Sequence, residues 1–163
     1  MQIETLTSWL ESYQERQQDI DSNYERLERL ESKLTSPRSA ALTGLPGGSA
    51  PDPDRLAFPL AELEALRVET KKQTAELRYL RHRIDAAIRL IDGPGWPNMR
   101  AVLRMRYLDG VKWETIAQLL FCRDLDFSMK LDSYVRRVYK IRCTALRKLA
   151  AHPQICEYIE EEK

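Results

Sequence analysis

The chain has 163 residues, room for one or two domains. Its 26 Lys and Arg against 25 Asp and Glu leave a formal net charge of +1, a total that by itself marks neither a nucleic-acid nor a membrane partner. Hydrophobic residues at 43% and charged residues at 31% suit a soluble protein rich in exposed helix, and only 6 Gly and 3 Phe argue against a compact all-β domain.

Residues 3–34 place apolar side chains at alternating three- and four-residue steps: Ile3, Leu6, Leu10, Tyr13, Ile20, Tyr24, Leu27 and Leu34, with Gln17 and Glu31 as the two polar members. That is the seam of a coiled-coil helix, with charges filling the other positions. Residues 60–91 repeat the spacing through Leu63, Leu66, Thr70, Gln73, Leu77, Leu80, Ile84, Ala87 and Ile91. A helix with so narrow a stripe needs a partner, because propensity alone leaves it marginal. Folding the two stretches back on each other, as an antiparallel helical hairpin or coiled coil over residues 1–92, is the economical arrangement. A second chain would satisfy the same seam, so hairpin, homodimer, or both remain open here, and the polar seam positions would set register. Between them, residues 35–59 hold five Pro and three Gly, a density that predicts a loop.

Gly93-Pro-Gly-Trp-Pro97 breaks the second long helix, and Pro97 suits the first turn of a new one. Residues 97–163 then read as a second domain. Asn98–Leu108 forms a short amphipathic helix ended by Asp109-Gly110, with Gly in the left-handed position after the helix. Trp113–Phe121 forms the next, with Trp113, Ile116, Ala117 and Leu120 facing a core. Ser133–Leu149 forms a third, with Tyr134, Val138, Ile141, Ala145 and Leu149 on one side and Arg136, Lys140 and Arg147 on the other, flanked by Arg137 and Thr144. Asp132 or Ser133 is the expected cap of that helix.

The +1 total conceals a segregation. Residues 1–97 carry a net of −3, residues 98–149 a net of +7, and residues 150–163 a net of −3. Three short helices, the last one basic, fit the pattern of a helix-turn-helix DNA binder.

RYLDGVKWETIAQLL followed by VYKIRCTALRKL resembles the sigma-factor region-four fold. The matching positions are Arg106, Tyr107, Gly110, Trp113, Ile116, Ala117 and Leu120, then Val138, Lys140, Ala145, Leu146 and Leu149. The whole layout, with TGLPGG at 43–48 inside the loop, resembles bacteriophage RinA- and ArpU-type late-gene regulators. Two departures stand out. Lys112 precedes the Trp where the family has Ser or Thr, and a lysine cannot accept the orphan N–H bonds of a helix start. The segment 121–133 is also longer than the family's turn, and either an extra helical turn in it or a tilt of the third helix is expected. The resemblance implies an all-α chain, a long helical hairpin followed by a sigma-region-four-like domain. It implies transcription activation on double-stranded DNA, with host RNA polymerase as a further partner.

In such a docking the helix 133–149 enters the major groove. Arg136, Arg137 and Lys140 are then the candidates for base edges, and Lys112, Ser133, Thr144 and Arg147 for phosphates. Arg142 lies beside the apolar face, and Arg100, Arg104 and Arg123 would extend the cationic footprint. Tyr107 and Trp113 read as core anchors. Two other function classes fit the same layout: a phage DNA-packaging recogniser of the small-terminase kind, and a helical protein-interaction scaffold. An enzyme is not expected, since no HExxH, GxSxG or phosphate-loop motif occurs.

The longest apolar run, IAQLLF, falls far short of the roughly 20 residues of a membrane span, and MQIETLTSWLES lacks the pattern of a signal peptide. No membrane partner is expected. Three Cys without a CxxC pair suit a reducing cytoplasm. His152 and Cys156, four apart, read as a surface His beside a half-buried Cys, since two ligands do not close a zinc site. No metal or cofactor is expected.

Overall fold

The computed structural model describes residues 1–35 and 54–160, and of residues 54–56 and Glu160 only the backbone. The described residues are helical, with no strand: α1 (Ile3–Thr35), α2 (Asp54–Ile88), α3 (Trp96–Leu103), α4 (Trp113–Phe121), α5 (Leu131–Ala151) and α6 (Ile155–Glu160). None of these helices is long and apolar enough to cross a membrane. The loop expected at 35–59 is corrected at its end. Residues 54–59 belong to α2, and Pro59 lies inside that helix. The prolines crowd before residue 54, whereas Asp54–Phe58 has none. The N–H that Pro59 lacks would have served only the carbonyl of Arg55, in the first turn of the helix. At its other end Thr35 belongs to α1, and residues 36–53, with TGLPGG, lie outside the described residues.

By packing, the chain divides into two units: Met1–Arg16 with Leu77–Lys163, and Gln17–Glu76. The division therefore falls inside both long helices, and not at the Gly93–Pro97 break where the sequence places a domain boundary.

In Gln17–Glu76, α1 and α2 pair antiparallel: Asn23 meets Gln73 while the later Glu31 meets the earlier Arg67. Ile20, Leu27, Leu63 and Thr70 are buried in the seam. Tyr24, expected there, is about half exposed. Its neighbour Asn23 takes the place, because the amide of Gln73 opposite can accept the Asn23 Nδ2 hydrogen at 2.9 Å. The Thr70 hydroxyl donates to the Leu66 carbonyl at 2.7 Å, so its burial leaves no unpaired polar group. The ion pairs Arg67–Glu31 at 2.6 Å and Arg26–Glu62 at 2.5 Å are half exposed, so solvent screens most of their attraction.

In the other unit, the start of α1 buries Leu6, Trp9, Leu10 and Tyr13, and the end of α2 buries Leu77, Leu80, Ile84, Ala87 and Ile88. Ile3 lies outside this core, exposed. Arg81 donates to the Tyr13 hydroxyl at 3.1 Å. After α2, Gly93 and Gly95 both adopt positive φ, and Pro97 stands in the first turn of α3. The expected helix 98–108 starts two residues earlier, and its last turn, Arg104–Leu108, widens to a π-helix. The Asp109 N–H reaches back to the Arg104 carbonyl at 3.1 Å. Gly110 then turns the chain at φ +65°.

A core forms from Val102, Ile116, Ala117, Phe121 and Val138, with Met105, Trp113, Tyr134 and Ile141 packed around it. α5 lies against both α3 and α4. Its buried residues are Val138, Ala145, Leu146, Leu149 and Ala150, so the apolar face expected from the sequence is the one that packs. The expected cap is corrected. α5 begins at Leu131 with Lys130 at the cap position and no side-chain cap bond. A 3₁₀ turn at Phe127–Met129 already winds the backbone, and the N–H groups of Ser133 and Tyr134 bond to the Lys130 carbonyl. Asp132 falls in the first turn, where a carboxylate suits the positive end of the helix. His152 is half-buried and Cys156 exposed, the reverse of the expected pair.

At Gly110 a Cβ would approach Gln14 Oε1 to 2.9 Å, and Gln14 Nε2 donates to the Tyr107 carbonyl at 3.1 Å. Gly110→Ala is expected to lower stability by about 1–2 kcal/mol through its left-handed backbone alone, read from urea unfolding. An unchanged midpoint would contradict this account of the turn.

Candidate functional site

The residues of α5 that do not pack repeat at helical spacing: Ser133, Arg136, Arg137, Lys140, Cys143, Thr144 and Arg147 are all exposed. They form one face, diametrically across from Val138, Ala145 and Leu149. The first turns of this face open into a shallow pocket of about 550 Å³, lined by Asp126, Lys130, Ser133, Tyr134, Arg136, Arg137 and Lys140. Ser133, Arg136, Arg137 and Lys140 are thus brought together. Thr144 and Arg147 continue the face toward the C-terminus, and the Thr144 hydroxyl donates to the Lys140 carbonyl at 2.9 Å. Lys112 stands apart, exposed at the cap position of α4 with no cap bond.

The cations differ in how they are held. Arg136, Lys140 and Arg147 make no side-chain hydrogen bond, ion pair or ring contact among the described residues. Arg137 lays its guanidinium over the Phe121 ring at 4.6 Å. That contact covers the end of α4 and restrains the side chain before any partner arrives. Arg142 turns inward, where its Nε donates to the Tyr107 hydroxyl at 2.8 Å and its guanidinium lies 5.8 Å from the Trp113 ring. Arg106 stacks on that same indole at 4.9 Å. Burial pushes the Tyr107 phenol above its ordinary range, against the opposing pull of Arg142.

Two expected members of the footprint are corrected. Arg100 donates to the Ile91 carbonyl at 3.0 Å and stacks on Trp96, and Arg104 pairs with Asp85 at 2.6 Å. Both sit where neighbouring carbonyl and carboxylate oxygens on the chain from α2 to α3 draw a guanidinium in. Arg123 remains exposed.

The sequence reading missed Asp126, Phe127 and Lys130, which brace the pocket together with Tyr134. Asp126 Oδ1 accepts the Tyr134 hydroxyl at 2.6 Å, and Asp126 Oδ2 pairs with Lys130 at 2.7 Å. Phe127 closes against the Tyr134 ring at 5.2 Å. The bond from Lys130, then that from Tyr134, hold the Asp126 carboxyl below its usual range, while the same bond raises the Tyr134 phenol. The Asp126–Lys130 spacing of four was a legible signal. The long segment 121–133 is thereby a braced turn, and its one acid facing the pocket is already neutralised.

Comparison with protein-family models, with curated proteins and with solved structures gives no match. The chemistry of the face therefore rests on its own geometry. It holds no paired acid and base and no nucleophile beside a base; it offers guanidinium, ammonium and hydroxyl donors along about four helical turns.

Because the Asp126 carboxyl is lowered in the folded chain, its contribution is full above the ordinary Asp range and fades as pH falls through the folded value. Asp126→Ala is expected to bring the Tyr134 phenol back toward an ordinary tyrosine, followed by ring NMR titration, and to speed amide exchange over 124–134. An unmoved Tyr134 titration would contradict the brace.

Proposed function

We propose that the chain is a sequence-specific double-stranded DNA-binding transcriptional regulator that reads the major groove with α5. The observation that carries this reading is the exposed cationic face of α5: Arg136, Lys140 and Arg147, without partners among the described residues, set across from the apolar face that packs on the core. A helix of this kind, standing against two shorter helices, is the reading element of helix-turn-helix proteins. The resemblance of 106–149 to sigma-factor region four supports the same assignment, because its apolar members Ile116, Ala117, Val138, Ala145 and Leu149 all serve the core beneath that face.

In this reading Arg136 and Lys140, nearest the start of α5 and unencumbered, meet base edges, where an Arg fork can engage guanine bidentately. Arg137 joins them from its seat on Phe121, losing less side-chain freedom than a loose arginine. Ser133, Thr144, Arg147 and Lys112 meet phosphates and set register. The net −3 of residues 1–97 repels the duplex and confines contact to the α5 face. A late-gene activator of the RinA or ArpU kind, with host RNA polymerase as its second partner and the bacterial cytoplasm as its location, is the biological setting that the resemblance adds.

Random-oligonucleotide selection with the full-length protein is the test. Enrichment of one motif is expected; no enrichment would overturn the reading. On the selected duplex, Arg136→Ala with Lys140→Ala is expected to weaken binding at least tenfold, since each good base contact is worth about 1–3 kcal/mol. Arg147→Ala is expected to weaken all sequences alike and to reduce the slope of log affinity against log salt by about 1. Affinity unchanged in these variants would contradict the assigned face.

A further inference from the structure

α2 is apolar on two faces. One is the seam described above. The other runs through Phe58, Ala61, Ala65, Val68, Lys72 and Ala75, again at alternating steps of three and four, and every one of these residues is exposed. Phe58 is 80% and Val68 68% exposed. The corresponding part of α1, within the same unit, shows one large exposed apolar residue, Tyr24, and is otherwise polar outward. Apolar faces on two sides mark a helix that packs on two sides. α1 covers one of them.

We propose that a second copy of this chain covers the other, through antiparallel pairing of the two α2 helices about a two-fold axis. The step pattern requires a partner helix of the same pitch, and the face complements itself. Pairing between Ala65 and Val68 of opposite copies seats Phe58 against Ala75, so each large side chain meets an alanine, and each contact occurs twice. The charges agree. Lys71 has no carboxylate partner among the described residues, and this register brings it beside Glu64 of the other copy, whose exposed carboxylate pairs at 3.2 Å with its own chain's Arg67 and keeps a second oxygen for Lys71, again twice. On the opposite edge the acids that approach are already engaged: Glu62 pairs with Arg26 at 2.5 Å, and Glu69 accepts from Gln73 at 3.0 Å. Lys72 within the stripe disfavours larger apolar assemblies while its stem adds to the contact. The seam is short, so the dimer forms in the micromolar range.

The inference uses no residue of α5, so loss of DNA binding in the variants above leaves it standing. Sedimentation of the full-length protein tests it. Twice the chain mass is expected at about 100 µM, the range of small interfaces. Val68→Glu is expected to sediment as a single chain with unchanged helical circular dichroism. Lys71→Glu is expected to raise the dissociation constant roughly tenfold, and Lys71→Glu combined with Glu64→Lys to restore it. A single chain at every concentration, a mass above two chains, Val68→Glu dimerising like the parent, or a charge swap that restores nothing would each overturn it.

Discussion

The rotation of α5 about its own axis is the constraint from which the rest of the site follows. Val138, Ala145, Leu146 and Leu149 are all but fully buried, and α5 packs against α3 and α4. With 3.6 residues per turn, that leaves Ser133, Arg136, Lys140, Thr144 and Arg147 facing outward. A quarter turn of the helix would expose aliphatic surface and draw guanidinium groups inward, at several kcal/mol for each unpaired buried ion. Arg142, which falls on the packed side of the helix between Leu149 and Leu146, is accommodated there by its bond to Tyr107 and its place over Trp113. The hydrogen bond and the ring contact therefore lock the rotation that the aliphatic residues set. The cationic face is a consequence of the core, and its spacing is that of the core seen from behind.

Much of this was readable from the residues. Apolar periodicity identified both long helices, α4 to the residue, and the buried side of α5. The Gly and Pro signals at 93–97 and at Gly110 marked real breaks. What periodicity could not supply was where polar side chains find partners in three dimensions. Arg100 and Arg104 count as surface cations in any charge sum, yet carbonyl and carboxylate oxygens near the end of α2 hold them. Asn23 displaced Tyr24 from the seam because Gln73 sits opposite, a pairing that no single-helix pattern contains. The start of α5 moved because a 3₁₀ turn needs no cap residue. The site residues on α5 were legible because exposure there mirrors burial, whereas Asp126 and Tyr134 emerged only once the turn before α5 had a shape.

The net charge of +1 is best understood as a spatial separation. Basic residues gather where the folded chain shows an open helical face, and acids prevail on the long helices. The same economy explains the two units. The first half of α1 and the last part of α2 complete the core beside α3 to α6, while Gln17–Glu76 keeps a second apolar face of its own. Under the two proposals made above, the DNA-reading face and the self-pairing face belong to different units of the chain.

The most direct test of the central claim is a map of the duplex on the protein, by backbone and side-chain NMR shifts during titration with a selected duplex. Shifts confined to Ser133, Arg136, Arg137, Lys140, Thr144 and Arg147, with smaller ones at Lys112, are expected, while residues 17–35 and 57–76 stay unmoved. Shifts centred on the long helices, or none on α5, would contradict the account.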